Sequence, residues 1–409
     1  MIASARAAHV VRRGESYGVQ TGSLTIDMTR VRERKRDIVE TFRSRNRQRL
    51  EATEGLDLLM GEGRLSDARS VEVLMNDGSK RHLRAKKVFI NTGQRPRRPN
   101  LPGLDEIPTL TSTSIMELGE VPEHLMVLGG GYVGVEFGQM FRRFGSEVTI
   151  VQHGSQLLSH EDADIGEAVA AILREDGIEV LLDCEAVRVE ESAAGNVALH
   201  VNGADEAGTL EGSHLLVAVG RVPNTERLNL DAAGVETYRH GYVKVNQRLE
   251  TNVPGIYAFG DVKGGPAFTH VSYDDFRVVR QNLLGDGGAS TDGRMLTYTV
   301  FMDPQLGRAG LTERMARDRG YDVRVAKMPM SRVARALEVD EPRGVMKAIV
   351  EADTDQLLGA AVLGLEGGEV ASVLRVAMMG GLPYTALRDA VLPHPTLAEA
   401  LNNLFMTLD

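Results

Sequence analysis

The chain has 409 residues, 25% of them charged and 42% hydrophobic, with 44 glycines, no tryptophan and one cysteine. That length predicts roughly two to four domains, and the ordinary composition excludes a disordered, collagen-like or disulfide-stapled chain. A net charge of -10 argues against general nucleic-acid affinity, no apolar run approaches the ~18 residues of a membrane span, and a lone Cys184 excludes an intrachain disulfide or a cysteine-rich metal cage.

The opening MIASARAAHVVRR holds Ala, Ser and Arg with no acid before Glu15, a composition shared by transit peptides and by an ordinary first helix. Nothing resembles a secretory signal, so the cytoplasm is the expected location. From Arg30 to Arg49, nine basic residues accompany three acidic ones. Val31, Ile38, Val39, Phe42 and Leu50 recur among them at helical spacing. The segment therefore predicts an amphipathic helix with a solvated basic face rather than a nucleic-acid contact. A polar hairpin is expected over 70–83, turning at Asn76-Asp77-Gly78. Lys87-Val88-Phe89-Ile90 reads as a short buried strand ending in Asn91-Thr92-Gly93-Gln94-Arg95-Pro96, with a proline-rich linker running on to Gly103.

From Val121 to Pro223 the pattern is strand, glycine turn, helix, strand. Strands are expected over 125–128, 148–152, 179–189, 196–201 and 215–219, with helices over 135–144 and 163–175. Together they make a self-contained α/β unit with mainly parallel pairing. A short strand over 256–259 ends in Gly260-Asp261. Beyond Tyr298, alternating segments at 322–328, 345–351 and 357–365 predict an antiparallel sheet. Helices over 369–379 and 396–406 complete an α+β domain.

The sharpest local signal is Val127-Leu128-Gly129-Gly130-Gly131-Tyr132-Val133-Gly134. Gly129, Gly131 and Gly134 fit a dinucleotide fingerprint in a strand–turn–helix setting: the first allows the turn, the second lets the backbone approach a pyrophosphate, the third lets helix and strand pack closely. The helix N-terminus then offers free N–H groups to the anion. The next strand ends in Gln152 and His153, where an acid for the ribose of NAD is usual. Without a carboxylate to repel a 2′-phosphate, the pair favours NADP(H), although both also read as plain surface residues. Asp261, past a buried strand, is placed to accept hydrogen bonds from a polyol or ribose; taken alone it is equally a turn aspartate.

Taken in order, the motifs resemble the FAD-dependent pyridine nucleotide–disulfide oxidoreductases, most closely their mercuric reductase-like branch. The matching elements are Asn91-Thr92-Gly93-Gln94-Arg95-Pro96, the Gly129–Glu136 turn, Val219-Gly220-Arg221-Val222-Pro223-Asn224, the run from Thr251 to Asp261, and His394-Pro395-Thr396 with Glu399. The resemblance implies an α/β protein with two Rossmann-like domains and a C-terminal α+β dimerisation domain. The FAD-binding domain would be discontinuous, over 1–120 and 239–296, with the NAD(P)-binding domain at 121–238 between its parts and the dimerisation domain at 297–409. FAD and NADP or NAD would be the cofactors. Asp261 would bind the ribityl chain, Thr92 and Gly93 would lie near FAD, and Gly220 near the nicotinamide nucleotide. Hydride would pass from NAD(P)H through the flavin to an acceptor, a small molecule or a metal ion. His394 and Glu399 would handle protons in the partner subunit's site within a homodimer, with neither a membrane nor a nucleic acid as partner. Read alone, a histidine beside a proline is more often structural.

Members of that family begin with a strand, a second GxGxxG turn for the FAD pyrophosphate and a CxxxxC pair, followed by a lysine. The opening Met1-Ile2-Ala3-Ser4-Ala5-Arg6 resembles the helix after that cysteine loop. The expectation is thus an N-terminally truncated member lacking its first βα unit, in which Glu136 has no lysine partner and Cys184 is a core thiol. Two alternatives stand beside the enzyme: a non-catalytic, nucleotide-binding dimeric remnant, and a thiol-independent flavin reductase acting on quinone-like acceptors.

Overall fold

The computed structural model describes residues 1–203 and 207–408. These form two compact units, one made of Met1–Lys35, Arg98–Val219 and Met295–Asp409, the other of Arg36–Arg97 and Gly220–Arg294.

The first unit contains a parallel sheet whose strands run in the order His214–Val217, His124–Leu128, Glu147–Val151, Glu179–Leu181. Leu125, Val127 and Ile150 are wholly buried, as strands covered on both faces require. The crossover helices are Tyr132–Phe144 and Ala163–Glu175, the first ending at Gly145 in the left-handed region. The N-terminal helix Ile2–Arg12 buries Ala5 and Ala8, two small residues on the side of the helix turned to the protein, and Ala5 shares the core of the Tyr132–Phe144 helix.

The expectation of one strand over 179–189 is corrected here, and an antiparallel sheet is added beside the parallel one. Asp183 adopts a left-handed φ of 49°, which turns the chain out of the parallel sheet. Glu185–Glu191 then joins an antiparallel sheet with Val197–Asn202 and Ala207–Gly212, in which Leu199 faces Val189 on one side and Leu210 on the other.

The C-terminal part of this unit is a five-stranded antiparallel sheet in the order Thr297–Val300, Gln305–Gly310, Leu357–Gly364, Val345–Glu351, Val323–Pro329. Helices Gly367–Met379 and Ala400–Met406 add Leu374, Leu401, Leu404 and Phe405 to its core. The last helix begins four residues later than the pattern predicts. The stretch ahead of it forms a local turn in which Glu399 N–H donates to Thr396 Oγ1 at 3.2 Å.

The second unit contains the antiparallel sheet Gly61–Asp67, Ser70–Met75, Lys80–Arg84, whose last two strands are the expected hairpin. It also holds a parallel pair, Val88–Ile90 with Ile256–Ala258, and the helix Thr269–Leu284. Gln94–Pro96, ahead of the proline-rich stretch, pairs antiparallel with Arg221–Pro223, joining the two separated stretches of the unit.

The basic helix is present as Met28–Glu51, but beyond Val31, which packs on the core, its apolar stripe is not a core face. Met28 is buried, whereas Ile38, Val39 and Phe42 are 44%, 54% and 63% exposed. No helix among the described residues is long and apolar enough to cross a membrane.

Candidate functional site

The glycine turn lies between the strand His124–Leu128 and the helix Tyr132–Phe144, and its glycines are demanded by different neighbours. Gly129 has a φ of +110°, and a Cβ there would stand 2.6 Å from the Ala218 carbonyl oxygen. A Cβ on Gly134 would stand 2.0 Å from the Gly129 oxygen, so no side chain fits while helix and strand keep their distance. Gly131, exposed at the helix N-cap, meets nothing within 4 Å. The turn thus presents bare backbone and a helix N-terminus to an open space, a cradle that suits a dinucleotide pyrophosphate. Tyr132 and Val133 open the helix half-buried, and Tyr132 packs on the core.

Gln152 does not face outward as a free reader of the ribose. Its Oε1 accepts the Gly130 N–H at 2.8 Å, bracing the turn from the end of the neighbouring strand. His153 beside it is exposed. Cys184 is buried behind this strand end, its N–H donating to the Gln152 carbonyl at 3.0 Å. Burial, and then the charge of Glu179, pushes its thiol up.

Glu136, one turn into the helix, is half-buried and accepts the Phe301 N–H at 2.8 Å. Burial raises its carboxyl to about 7, opposed only by that N–H. Among the described residues no cation pairs with it.

In the second unit, three backbone segments are tied together. Thr92 Oγ1 donates to the Asn224 carbonyl at 2.8 Å, Asn224 Nδ2 returns a bond to the Thr92 carbonyl at 2.8 Å, and the Asn224 N–H reaches the Gly93 carbonyl at 2.9 Å. Gln94 Nε2 donates to the Asp261 carbonyl at 3.0 Å. Gly93 and Gly220, with φ of +70° and +112°, both face open space. Asp261 sits half-buried in the short 3-10 turn Gly260–Lys263. The Gly260 N–H donates at 2.9 Å to Asp275, a fully buried carboxylate that Lys263 and Arg294 neutralise at 3.3 and 2.7 Å. A half-buried acid on this turn, with open backbone at Gly93, has the chemistry to accept hydrogen bonds from a polyol such as a flavin's ribityl chain.

Gln94 and Asn224 belong to motifs visible in the sequence, but their bracing bonds span more than 120 residues and carry no local signal. Asp275 escapes a sequence reading as well, since it interrupts the apolar stripe of its own helix.

His394 and Glu399 meet as their spacing suggests. Nδ1 lies 2.8 and 3.0 Å from the two carboxylate oxygens, with the imidazole 68% exposed and the carboxylate 29%. No group of three or more His, Cys, Asp or Glu side chains among the described residues is arranged to hold a metal ion.

Comparison with known proteins matches residues 3–275 to the model of the pyridine nucleotide-disulphide oxidoreductases and residues 296–405 to that of their dimerisation domain. The chain is 39% identical over 381 residues to the probable pyridine nucleotide-disulfide oxidoreductase RclA of Escherichia coli (strain K12), covering 93% of this chain and 85% of that protein. It is 36% identical over 393 residues to a mercuric reductase of Staphylococcus aureus, covering 96% of this chain and 71% of the other. Among solved structures, the HOCl-induced flavoprotein disulfide reductase RclA from Escherichia coli superposes with a TM-score of 0.88 at 36% identity, over 100% of this chain and 90% of that one.

Proposed function

Because the chain belongs to the pyridine nucleotide-disulphide oxidoreductase family, we propose that it passes reducing equivalents from NAD(P)H, through FAD, to a small-molecule or metal-ion acceptor. The observation that carries this reading is the Gly129–Gly134 turn, whose bare backbone at Gly131 opens at a helix N-terminus. There Gly129, Gly130, Gly131, Tyr132, Val133 and Gly134 would hold the pyrophosphate. Gly220 would lie against the nicotinamide nucleotide, and Thr92, Gly93 and Asp261 would hold FAD. When bound, FAD supplies two-electron chemistry that can hand electrons on singly or in pairs.

The remaining work falls to side chains. Glu136, with its carboxyl raised to about 7 by burial, holds or releases a proton near neutrality. The Glu399 carboxylate fixes the His394 imidazole by Nδ1, leaving Nε2 to exchange a proton with an acceptor. Gln152, turned to Gly130, puts no negative charge at the strand end, which favours NADP(H), and exposed His153 beside it is the side chain left to contact a 2′-phosphate. Cys184 is buried and is not a redox relay.

The test is direct. The purified protein should carry flavin absorbance that NADPH bleaches anaerobically, at lower concentration than NADH does. A colourless protein that still binds NADP(H) overturns the flavoenzyme reading; bleaching by NADH in preference overturns the NADP assignment.

A further inference from the structure

The nucleotide turn is shaped by more than its own helix. Gly130 has both backbone polar groups engaged by the segment that follows the next strand: its N–H by Gln152 Oε1 at 2.8 Å, its carbonyl by the Leu158 N–H at 2.9 Å. A Cβ on Gly130 would fall 2.4 Å from Leu157 Cδ2, so the turn is moulded on Leu157, itself wholly buried.

The far end of the segment is fixed by the C-terminal part of the same unit. Glu161, 1% exposed, ion-pairs with Arg308, also 1% exposed, and accepts the Tyr298 hydroxyl. Tyr298 and Arg308 face each other across adjacent strands and so grip one carboxylate from two sides. Burial, and then the Glu161 charge, pushes the Tyr298 hydroxyl up, which keeps it a donor. Next to this, Asp162 accepts the N–H groups of Glu313 and Arg314 at 3.0 and 3.1 Å, and Lys347, 3% exposed, lies 3.2 Å from it.

We infer that Tyr298 and Arg308 are positioning residues for dinucleotide binding: by holding Glu161 they fix the 152–162 segment, and through Leu157 and Leu158 the backbone of Gly130. The inference rests on the reading of Gly129–Gly134 as the NAD(P)H site. A burial-driven clamp costs no reorganisation when the ligand arrives, whereas a turn braced by its own helix alone would have to be ordered on binding.

The test compares, in the holoenzyme, the buried guanidinium of Arg308 with the half-buried, doubly ion-paired guanidinium of Arg343. Arg343 pairs with Glu341 and Asp176 at 2.7 Å each and bonds to no residue of the 152–162 segment. Arg308→Gln should weaken NADP+ binding by about tenfold in titration calorimetry. It should also raise KM for NADPH with little change in kcat, the sign of lost binding common to ground and transition states. Arg343→Gln should lower Tm while leaving the dissociation constant at the parent value. Tyr298→Phe removes one hydroxyl without opening a cavity, should weaken binding by about threefold, and decides the matter if Arg308→Gln does not fold. Equal effects of Arg308→Gln and Arg343→Gln, or a Tyr298→Phe protein binding as the parent does, overturn the inference. A parent protein that binds no NADP+ instead refutes the site reading, and the positioning role with it.

Discussion

At Glu136 a carboxyl stands in a half-buried place with one backbone N–H for company, and burial raises it from an ordinary 4.5 to about 7. The folded state therefore binds a proton that the unfolded chain has already released. Between those two values the native protein holds more protons than the unfolded one, so stability falls as pH rises from about 4.5 to 7 and is flat on either side. His9 acts in the opposite sense. Burial, and then the nearby Arg143 charge, depresses it from 6.5 to about 4, so its contribution to stability grows as pH rises through that interval. The Glu136 slope is isolated by substitution: Glu136→Gln should remove a loss on the order of 2 kcal/mol, after discounting for partial exposure. Thermal melts of parent and variant across the interval check this. A parent–variant difference that does not change with pH would show that the carboxyl is not held protonated.

An element can be legible in part, and the glycine turn shows which part. Two substitutions in it should separate binding from folding. Gly131→Ala adds a methyl to open space, so Tm should hold while NADP+ affinity falls by about tenfold, since the methyl occupies the pyrophosphate's approach. Gly134→Ala sets a Cβ 2.0 Å from the Gly129 oxygen, and the forced shift should destabilise by about 1–3 kcal/mol. Calorimetry and melting on both proteins read the two effects separately; a Gly131→Ala protein with parent affinity would place the pyrophosphate elsewhere. This turn is readable because its requirements fall within six consecutive residues flanked by buried strand and helix. Val345–Glu351 is readable for the same reason, as a continuous local pattern. By contrast, Gly61–Asp67 has one buried apolar residue, Leu65, in seven, and shows no alternation. Gln305–Gly310 hides a fully buried arginine between Gly307 and Gly310. The helix Thr269–Leu284 is interrupted by buried Asp275 and shows Tyr273 and Phe276 to solvent, 57% and 42% exposed. In the site, Glu161 and Arg308 are 147 residues apart; no local pattern announces a bond between them.

At the scale of the whole molecule, the C-terminal sheet and helices leave an apolar surface that one chain does not cover. On the helix Gly367–Met379, Val373, Val376 and Met379 follow one another at three-residue spacing and are 38%, 67% and 69% exposed. Leu382 is 44% exposed just beyond the helix, and Val391 fully so. A match to the family's dimerisation domain over 296–405 identifies the C-terminal region as the one that pairs, and a second copy is the occupant that such a face fits. Two-fold pairing makes every substitution count twice, once in each subunit. Burying a valine or methionine is worth about 1.5–3 kcal/mol, and an aspartate in its place must also shed its hydration. Val376→Asp with Met379→Asp should therefore shift the protein from dimer to monomer at micromolar concentration in sedimentation or light scattering. Since Gly129–Gly134 and its clamp are built within one chain, the monomer should still bind NADP+ at parent affinity. On the reading that His394 and Glu399, 68% and 29% exposed on the C-terminal region, handle protons in the partner subunit's site, turnover should fall. A double variant that stays dimeric would move the interface off this helix, and a monomer with full turnover would remove His394 from the chemistry.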